Sequence, residues 1–421
     1  MTKDGKINIL VIPSDKYGCG FWRSVNPHTF LGINMQDKFN VDIIYTPPTL
    51  GNLEDFYGKY DIIHIHKKLD DNCELIHFMQ KCGCMVIVDI DDSPKLDKEH
   101  PLYLSSVHDK WYIPINKSLS EANAVTTTTN IFAKEIKQEL NKNVFVLPNA
   151  LPEGEGQFVL NKVRKTNRIR FGMVCSSSHY HDILILKDMV EKMPKEYIDK
   201  IQFQLCGFDT RGTTTFYKKI PGKSEPIVEK RDILPSESVW NKYEKIITNN
   251  YSIISEEHRK WLLEYHTNEE DPFIDEAYRR FWTLDIEKYY QQYNQIDVLM
   301  APLFENHFNS VKSNLKFVES AFAHIPVIAT DFGPYSFDRI PVLSKDGEVN
   351  LRGNCFLVET RKNKKDWLKT IKWIVDNPNS IKWVGENLYN DYKDTYSAKA
   401  VCQKRANIYT KILKEKDKFK K

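Results

Sequence analysis

The sequence predicts an α/β protein of two domains, each built on a mostly parallel sheet with helices between its strands. Three observations lead there. The chain has 421 residues, beyond the size at which one core normally keeps growing. Short apolar, β-branched runs recur along it with helical or irregular stretches between them, the pattern of buried strands joined by crossovers. Midway, Pro148-Asn149-Ala150-Leu151-Pro152-Glu153-Gly154 interrupts that pattern, and a polar, basic stretch with Arg164, Lys165, Arg168 and Arg170 follows as an interdomain linker.

The first domain, residues 1–160, has strands expected at 7–12, 41–45, 62–65, 84–90, 124–127 and 144–147. The second, 161–385, has them at 169–175, 201–206, 298–301, 325–329 and 355–358. Between about 221 and 294 lies a stretch rich in tyrosine, tryptophan and charge, with 255–266 and 275–293 expected as helices. It reads as a helical insertion that caps a cleft, binds an acceptor, forms an interface or is plain solvated structure. Residues 364–375 and 380–418 are expected as terminal helices, the part from 386 to 421 packing back on the first domain. Trp367, Trp373, Trp383 and Tyr392 read as packing anchors, and the lysine-rich end as a solvated helix face.

Composition narrows the function classes. The 60 basic and 57 acidic side chains leave a formal charge of +3, which suits a soluble protein and neither requires nor excludes a nucleic-acid acceptor. Met1 to Lys6 lead straight into the first strand, and no apolar run nears the roughly 20 residues of a bilayer span. The 8 scattered cysteines read as reduced thiols, so the expected location is cytoplasmic. Peripheral membrane contact stays open, because the sequence offers no specific anchor.

The strongest local signal is Asn314-Leu315-Lys316-Phe317-Val318-Glu319-Ser320-Ala321-Phe322-Ala323-His324-Ile325-Pro326-Val327-Ile328-Ala329-Thr330. A short helix carries one glutamate on a largely apolar surface, a β-branched strand follows, and the chain then turns through Asp331-Phe332-Gly333. A carboxylate so placed can accept two ribose hydroxyls, while the helix start and the turn offer backbone N–H groups to phosphate. That suits a nucleotide-sugar; the competing reading is an exposed helix glutamate. Lys312, just before Ser313 and the helix, can meet phosphate where the helix field also favours an anion, or can simply face solvent. Earlier, Cys175-Ser176-Ser177-Ser178-His179-Tyr180-His181-Asp182 is a strand, a hydroxyl-rich turn and a helix start. Its N–H groups and hydroxyls can contact a diphosphate, or Ser178 can merely cap the helix. Arg211 follows another strand end and can approach the same ligand.

On the first-domain side, Gly18 and Gly20 in Pro13-Ser14-Asp15-Lys16-Tyr17-Gly18-Cys19-Gly20-Phe21-Trp22-Arg23 permit close backbone approach, and Arg23 is expected to enter a ligand cleft. This is no dinucleotide fingerprint, since the third glycine and the ribose acid are out of register. His64 and His66 alternate along a strand, which disfavours joint metal binding; His66 lies nearer the strand's C-terminal end, where open α/β sheets hold ligands. Asp91 and Asp92 in Asp89-Ile90-Asp91-Asp92 can orient an acceptor hydroxyl, stabilise a loop or hold a metal, the last being the least favoured.

With these residues the chain resembles the two-domain GT-B glycosyltransferases, particularly the retaining family 4 group. The resemblance covers most of the chain and is strongest from Asp297 to Tyr335. It implies two Rossmann-like domains facing each other across a cleft, with Glu319 as the ribose-binding glutamate and Gly333 in the donor-side loop. Ser178, His179 and Asp182 partly match a G-x-x-G-S-x-x-H-x-x-D variant, and Gly20 and Arg23 a G-x-G-x-x-R loop. Val311 stands where many relatives carry a second, sugar-contacting glutamate, a role then left to Asn309 or a backbone group.

By that resemblance the substrate is a nucleoside-diphosphate sugar, with no tightly bound cofactor and no metal. Gly20, Ser178, His179, Arg211, Lys312, Ser313, Glu319 and Gly333 are the donor candidates. Arg23, His66, Asp91 and Asp92 are the acceptor-side candidates, and His66, Asp91, Asp92 and Lys312 the catalytic ones. The compact glycine loop with Asp89-Ile90-Asp91-Asp92 has a phage-like character and suggests a hydroxylated DNA base as acceptor. A cell-surface glycan, a lipid-linked acceptor or a noncatalytic nucleotide-sugar binder are the alternatives.

Overall fold

The structure, a computed structural model, describes residues 5–49, 58–162, 166–176, 178–187, 189, 191–207, 213–232, 239–248, 257, 260, 274–281, 284–359 and 364–420. The first sheet comprises β1 (Ile7–Ile12), β2 (Phe39–Ile43), β3 (Ile62–His66), β4 (Met85–Ile90), β5 (Ala124–Thr127) and β6 (Val144–Val146). Its order is β2-β1-β3-β4-β5-β6, parallel throughout. Every residue of β3, β4 and β5 is buried, which is why these strands read as continuous apolar runs rather than alternating ones.

The second sheet contains β7 (Ile169–Cys175), β8 (Ile201–Gly207), β11 (Tyr278–Phe281), β12 (Val298–Ala301), β13 (Val327–Thr330) and β14 (Phe356–Val358), ordered β11-β8-β7-β12-β13-β14 and parallel. A separate antiparallel hairpin joins β9 (Thr213–Lys218) and β10 (Ile227–Asp232). The Val239–Ile247 helix follows it. The helix expected over 275–293 is replaced by β11 and a 3-10 helix, Tyr289–Gln295. The physical reason lies in the arginines of β11, since buried Arg280 meets buried Glu244 at 2.6 Å. A polar-looking segment thereby becomes a buried edge strand. The helix expected over 255–266 falls almost wholly outside the described residues.

Two chain crossings link the domains side by side. Leu151 N–H donates to Tyr396 O at 3.2 Å, and Ala398 N–H donates to Leu151 O at 2.8 Å. At that crossing the expected 380–418 helix breaks into Ser380–Tyr396, Ala398–Lys414 and Lys416–Phe419, with Ser397 capping the second. Ser380–Tyr396 stays with the second domain, where Gly385 passes so close to His324 that a β-carbon would lie 2.4 Å from its carbonyl oxygen. Ala398–Lys414 returns to the first, its Val401, Cys402, Ala406, Tyr409 and Ile412 sharing a core with Ile9, Val11, Leu31 and Ile87. Trp367 and Tyr392 are buried packing residues, and all eight cysteines are free thiols. Among the described residues no helix is long and apolar enough to cross a membrane.

Candidate functional site

The C-terminal ends of β3 and β4 build the first-domain wall. His66, fully buried, has Nδ1 2.7 Å from Ser14 Oγ and Nε2 3.4 Å from Asp91 Oδ1. Lys67 follows in a left-handed conformation (φ 69°), which brings its Nζ to 4.0 Å from Asp91 Oδ1. Burial opposes ionisation of Asp91, but Lys67 and His66 outweigh it and hold this carboxyl well below its usual range. Neighbouring Asp92 moves the other way. Burial and the Asp91 charge push it up to about 6, against the pull of Lys312 and Lys67. Two adjacent carboxyls thus differ in readiness to hold a proton, an arrangement suited to orienting a hydroxyl.

Cys19 Sγ and the Asp91 and Asp92 carboxylates lie within 4.8 Å of one another. Burial and both carboxylates push the Cys19 thiol well up, so without a cation beside it the thiol keeps its proton. Lys67 already supplies positive charge beside Asp91.

Gly20 and Arg23 serve the wall from beneath. A β-carbon at Gly20 would sit 2.3 Å from the Asp15 carbonyl oxygen, and its N–H reaches Asp15 Oδ1 at 3.3 Å. Arg23, expected in the cleft, is instead buried. It binds Asp89 through Nε at 2.8 Å and a terminal nitrogen at 2.7 Å, while its other terminal nitrogen reaches Leu147 O and Asn149 Oδ1. The reason is charge pairing: a buried carboxylate in β4 needs a partner, and the bidentate guanidinium supplies it.

On the second-domain wall, His179 and Asp182 sit one helical turn apart, with Nδ1 2.7 Å from Asp182 Oδ2. Asp182 Oδ1 accepts from Phe304 N–H at 2.7 Å and from Asn309 Nδ2 at 2.9 Å. Burial, reinforced by Lys312, lowers the His179 pKa and favours the neutral ring. Burial opposes the Asp182 charge, yet His179, Lys312 and the Phe304 N–H hold its pKa low. With Asp182 ionised, the neutral ring carries its proton on Nδ1 and leaves Nε2 as the acceptor. Ser178 Oγ meets Ser176 Oγ at 2.8 Å. Gly333 has φ +55°, and a β-carbon there would come within 3.0 Å of Ser310 Cα, so glycine is favoured on both counts. Arg211 lies outside the described residues.

Between the walls runs a strap, residues 304–313. Phe308 N–H donates to Asp97 Oδ2 at 2.7 Å, His307 Nε2 meets Glu135 Oε2 at 2.9 Å, and Asn149 Nδ2 donates to Ser313 Oγ at 3.0 Å. Val311 is buried in the first-domain core with Leu10, Ile12, Ile63 and Ile65, and its carbonyl accepts from Thr129 Oγ1 at 3.4 Å. Lys312 stands on this strap, half-buried, its Nζ 4.8 Å from the Phe308 ring centre. Its charge acts on Asp92 of one wall and on Asp182 and His179 of the other. The strap therefore joins both sides electrostatically as well as sterically.

Glu319 has no exposed surface. Its Oε2 accepts from Tyr293 O–H at 2.7 Å and from Lys316 Nζ at 2.7 Å, while Oε1 has no partner. Tyr290 O–H donates to the Glu319 carbonyl at 2.8 Å, fixing the helix against the Tyr289–Gln295 segment. Trp22 of the first domain packs here too, its ring 5.8 Å from Phe158 and 6.2 Å from Tyr289.

No protein-family model and no curated protein sequence matches the chain. Solved structures do. Sucrose-phosphate synthase from Thermosynechococcus elongatus superposes with a TM-score of 0.58 at 12% identity, over 97% of this chain and 100% of that one. The catalytic domain of starch synthase IV from Arabidopsis thaliana, bound to ADP and acarbose, gives 0.58 at 11%, over 98% and 100%. HepE from Anabaena, in complex with UDP-glucose, gives 0.57 at 11%, over 96% and 100%. The fold is GT-B.

In this GT-B chain the structure gathers His66, Asp91 and Asp92 on one wall and Ser178, His179 and Gly333 on the other, with Lys312 and Ser313 on the strap between. Glu319 lies beneath the second wall, and Arg23 and Gly20 beneath the first. Several partners escaped sequence reasoning. Lys316, three residues before Glu319 on one helix face, carried a readable signal. Lys67, Cys19, Asn149 and Tyr293 did not, because each gains its partner from a distant segment.

Proposed function

We propose that this chain is a retaining glycosyltransferase, moving a sugar from a nucleoside-diphosphate sugar to a hydroxyl acceptor. The observation that carries the reading is Glu319: one oxygen shared by Lys316 and Tyr293, the other buried without a partner. A buried acceptor of that kind is normally satisfied, and a ribose hydroxyl is a donor of the right size. The GT-B fold supports the reading, as do the UDP-glucose held by HepE and the ADP held by starch synthase IV.

In this reading Glu319 accepts the ribose hydroxyls. Lys312, Ser313, Arg211 and backbone groups near Ser178, His179 and Gly333 stabilise the diphosphate as charge develops on it. His66, Asp91 and Asp92 orient the acceptor hydroxyl. Arg23 and Gly20 act indirectly, by holding the strand end and loop that carry these groups. The bond from the anomeric carbon to the donor phosphate oxygen breaks while a bond to the acceptor oxygen forms on the same face. The acceptor proton passes to the departing phosphate oxygen, so neither a protein nucleophile nor a resident metal takes part. Exclusion of water between the domains protects the donor from hydrolysis.

For the acceptor, the proposal begins with a hydroxylated base in phage DNA, ahead of a cell-surface glycan or lipid-linked sugar. A DNA acceptor requires binding that weakens steeply with salt. The test is calorimetry with UDP-, GDP-, ADP- and CMP-sugars, with and without EDTA, followed by product analysis. One donor bound equally with EDTA, yielding a glycosylated acceptor and a nucleoside diphosphate, supports the proposal. Folded protein that binds none of them overturns it.

A further inference from the structure

Lys316 sits one turn before Glu319 on the Leu315–Phe322 helix, its side chain 19% exposed while that of Glu319 is 0% exposed. Its ammonium donates to Glu319 Oε2 at 2.7 Å and to Tyr289 O–H at 2.9 Å. Tyr293 donates to the same carboxylate oxygen. One oxygen is thus doubly engaged while the other, equally buried, is left without a donor. A permanent structural ion pair would gain by spreading its donors over both oxygens. Concentrating them on one leaves the carboxylate half-prepared for another partner.

Charge raises a second point. A nucleoside diphosphate entering beside Glu319 brings negative charge toward a buried carboxylate, and that requires a cation close by. Lys312, at the end of the strap, and Lys316, in the first turn of the helix, both lie close to this helix start. Burial works against the Lys316 charge, but Glu319 and Tyr289 hold its pKa above the ordinary lysine value, so it stays an ammonium. It is partly exposed, and its long stem lets the charged end change partners while the backbone stays fixed.

Resting on the donor-site reading above, we infer that Lys316 is an exchangeable counter-ion. Without ligand it occupies Glu319 Oε2; with a nucleoside diphosphate bound, it yields that oxygen to the ribose hydroxyls and turns its ammonium to the diphosphate. Glu319 remains neutralised while the site waits, and the cation released by ribose recognition becomes available to the phosphates. The site thereby favours nucleoside diphosphates over nucleosides by more than the attraction of Lys312 alone. Lys316 acts as a donor-specificity residue.

The experiment compares UDP, ADP and GDP with uridine, adenosine and guanosine by calorimetry, on wild type, Lys316→Met and Lys316→Arg, each first checked for folding by thermal melt. For the base that wild type prefers, Lys316→Met is expected to weaken diphosphate binding roughly tenfold to a hundredfold, as for loss of one charge-assisted hydrogen bond. Nucleoside binding stays unchanged or tightens, because the ribose no longer competes with an ammonium. Lys316→Arg restores much of the diphosphate preference and shows that the fold tolerates change there. Equal weakening of nucleoside and diphosphate overturns the inference, leaving Lys316 as a fixed support for Glu319. Unchanged binding of both overturns it as well. A wild-type protein that binds no nucleotide of the panel overturns the donor-site reading itself, an outcome distinct from either.

Discussion

Glu319 and Asp92 are the two side chains whose surroundings ask most of them. Replacing Glu319 with alanine removes the proposed ribose acceptor and also strands Lys316 and Tyr293 in a buried place. We expect donor affinity to fall roughly tenfold or more, read by calorimetry on protein whose melt and circular dichroism are unchanged in form. Undiminished affinity would exclude Glu319 from the donor site. Asp92 permits a test that needs no substrate. Its folded pKa, raised to about 6 by burial and Asp91, lies above its unfolded value, so it destabilises the fold once pH rises through that value. Asp92→Asn is therefore expected to raise the melting temperature by a few degrees at about pH 7.5, and to change it little at about pH 3, below the unfolded carboxyl's range, where both the folded and the unfolded wild-type carboxyl are protonated. Equal shifts at both pH values would mean that the effect is not one of charge. Of these residues, Glu319 was legible as a lone acid on an apolar helix followed by a strand. The fate of Arg23 was not, because its partner Asp89 lies 66 positions away and only the folded sheet unites them.

At the scale of elements, the buried parallel strands were the most legible feature, since a strand covered on both faces has to be apolar along its length. β11 was hidden because its interior holds two arginines, Arg279 and Arg280, both buried. Paired charges can occupy a sheet that composition alone would reject. The 304–313 strap illustrates a different limit. Val311 read only as a missing glutamate, whereas in the structure it is a plug in the first-domain core. This gives Val311→Glu a clear expectation. A carboxylate forced among Leu10, Ile12 and Ile63 should cost about 2–3 kcal/mol or more, and thermal unfolding would show a fall of roughly 5 °C or more. A stable variant with tightened sugar binding would instead mean that the strap moves readily and that the glutamate recovers a contact with the transferred sugar.

Over the whole molecule, the terminal helix Ala398–Lys414 closes the first domain over a histidine seam. His28 lies 4.3 Å from His64 ring to ring and has Nε2 2.8 Å from Tyr409 O–H, while neither His64 ring nitrogen has a partner. Arg405 and Tyr409 face this pair from the helix, and Arg23 and Asp89 act on it from the first-domain side. Burial first keeps both histidines well below their usual pKa, reinforced by His64 and Arg405 at His28 and by Arg405, His66 and Arg23 at His64. The sign follows directly. The fold holds both rings neutral, whereas the unfolded chain takes up their protons below about pH 6.5. Stability from this seam is complete above that pH and falls as pH drops, by up to about 1.4 kcal/mol per pH unit for each ring. The expected result is a melting temperature that declines between about pH 7 and pH 5.5. In His64→Phe, which replaces an unpartnered ring by an apolar one, the decline should be markedly shallower. Because the seam joins the chain's end to the first sheet, amide exchange in Ala398–Lys414 should accelerate over the same pH range before the second sheet loosens. An acid response shared equally by both domains, or unaltered by His64→Phe, would place the sensitive groups elsewhere.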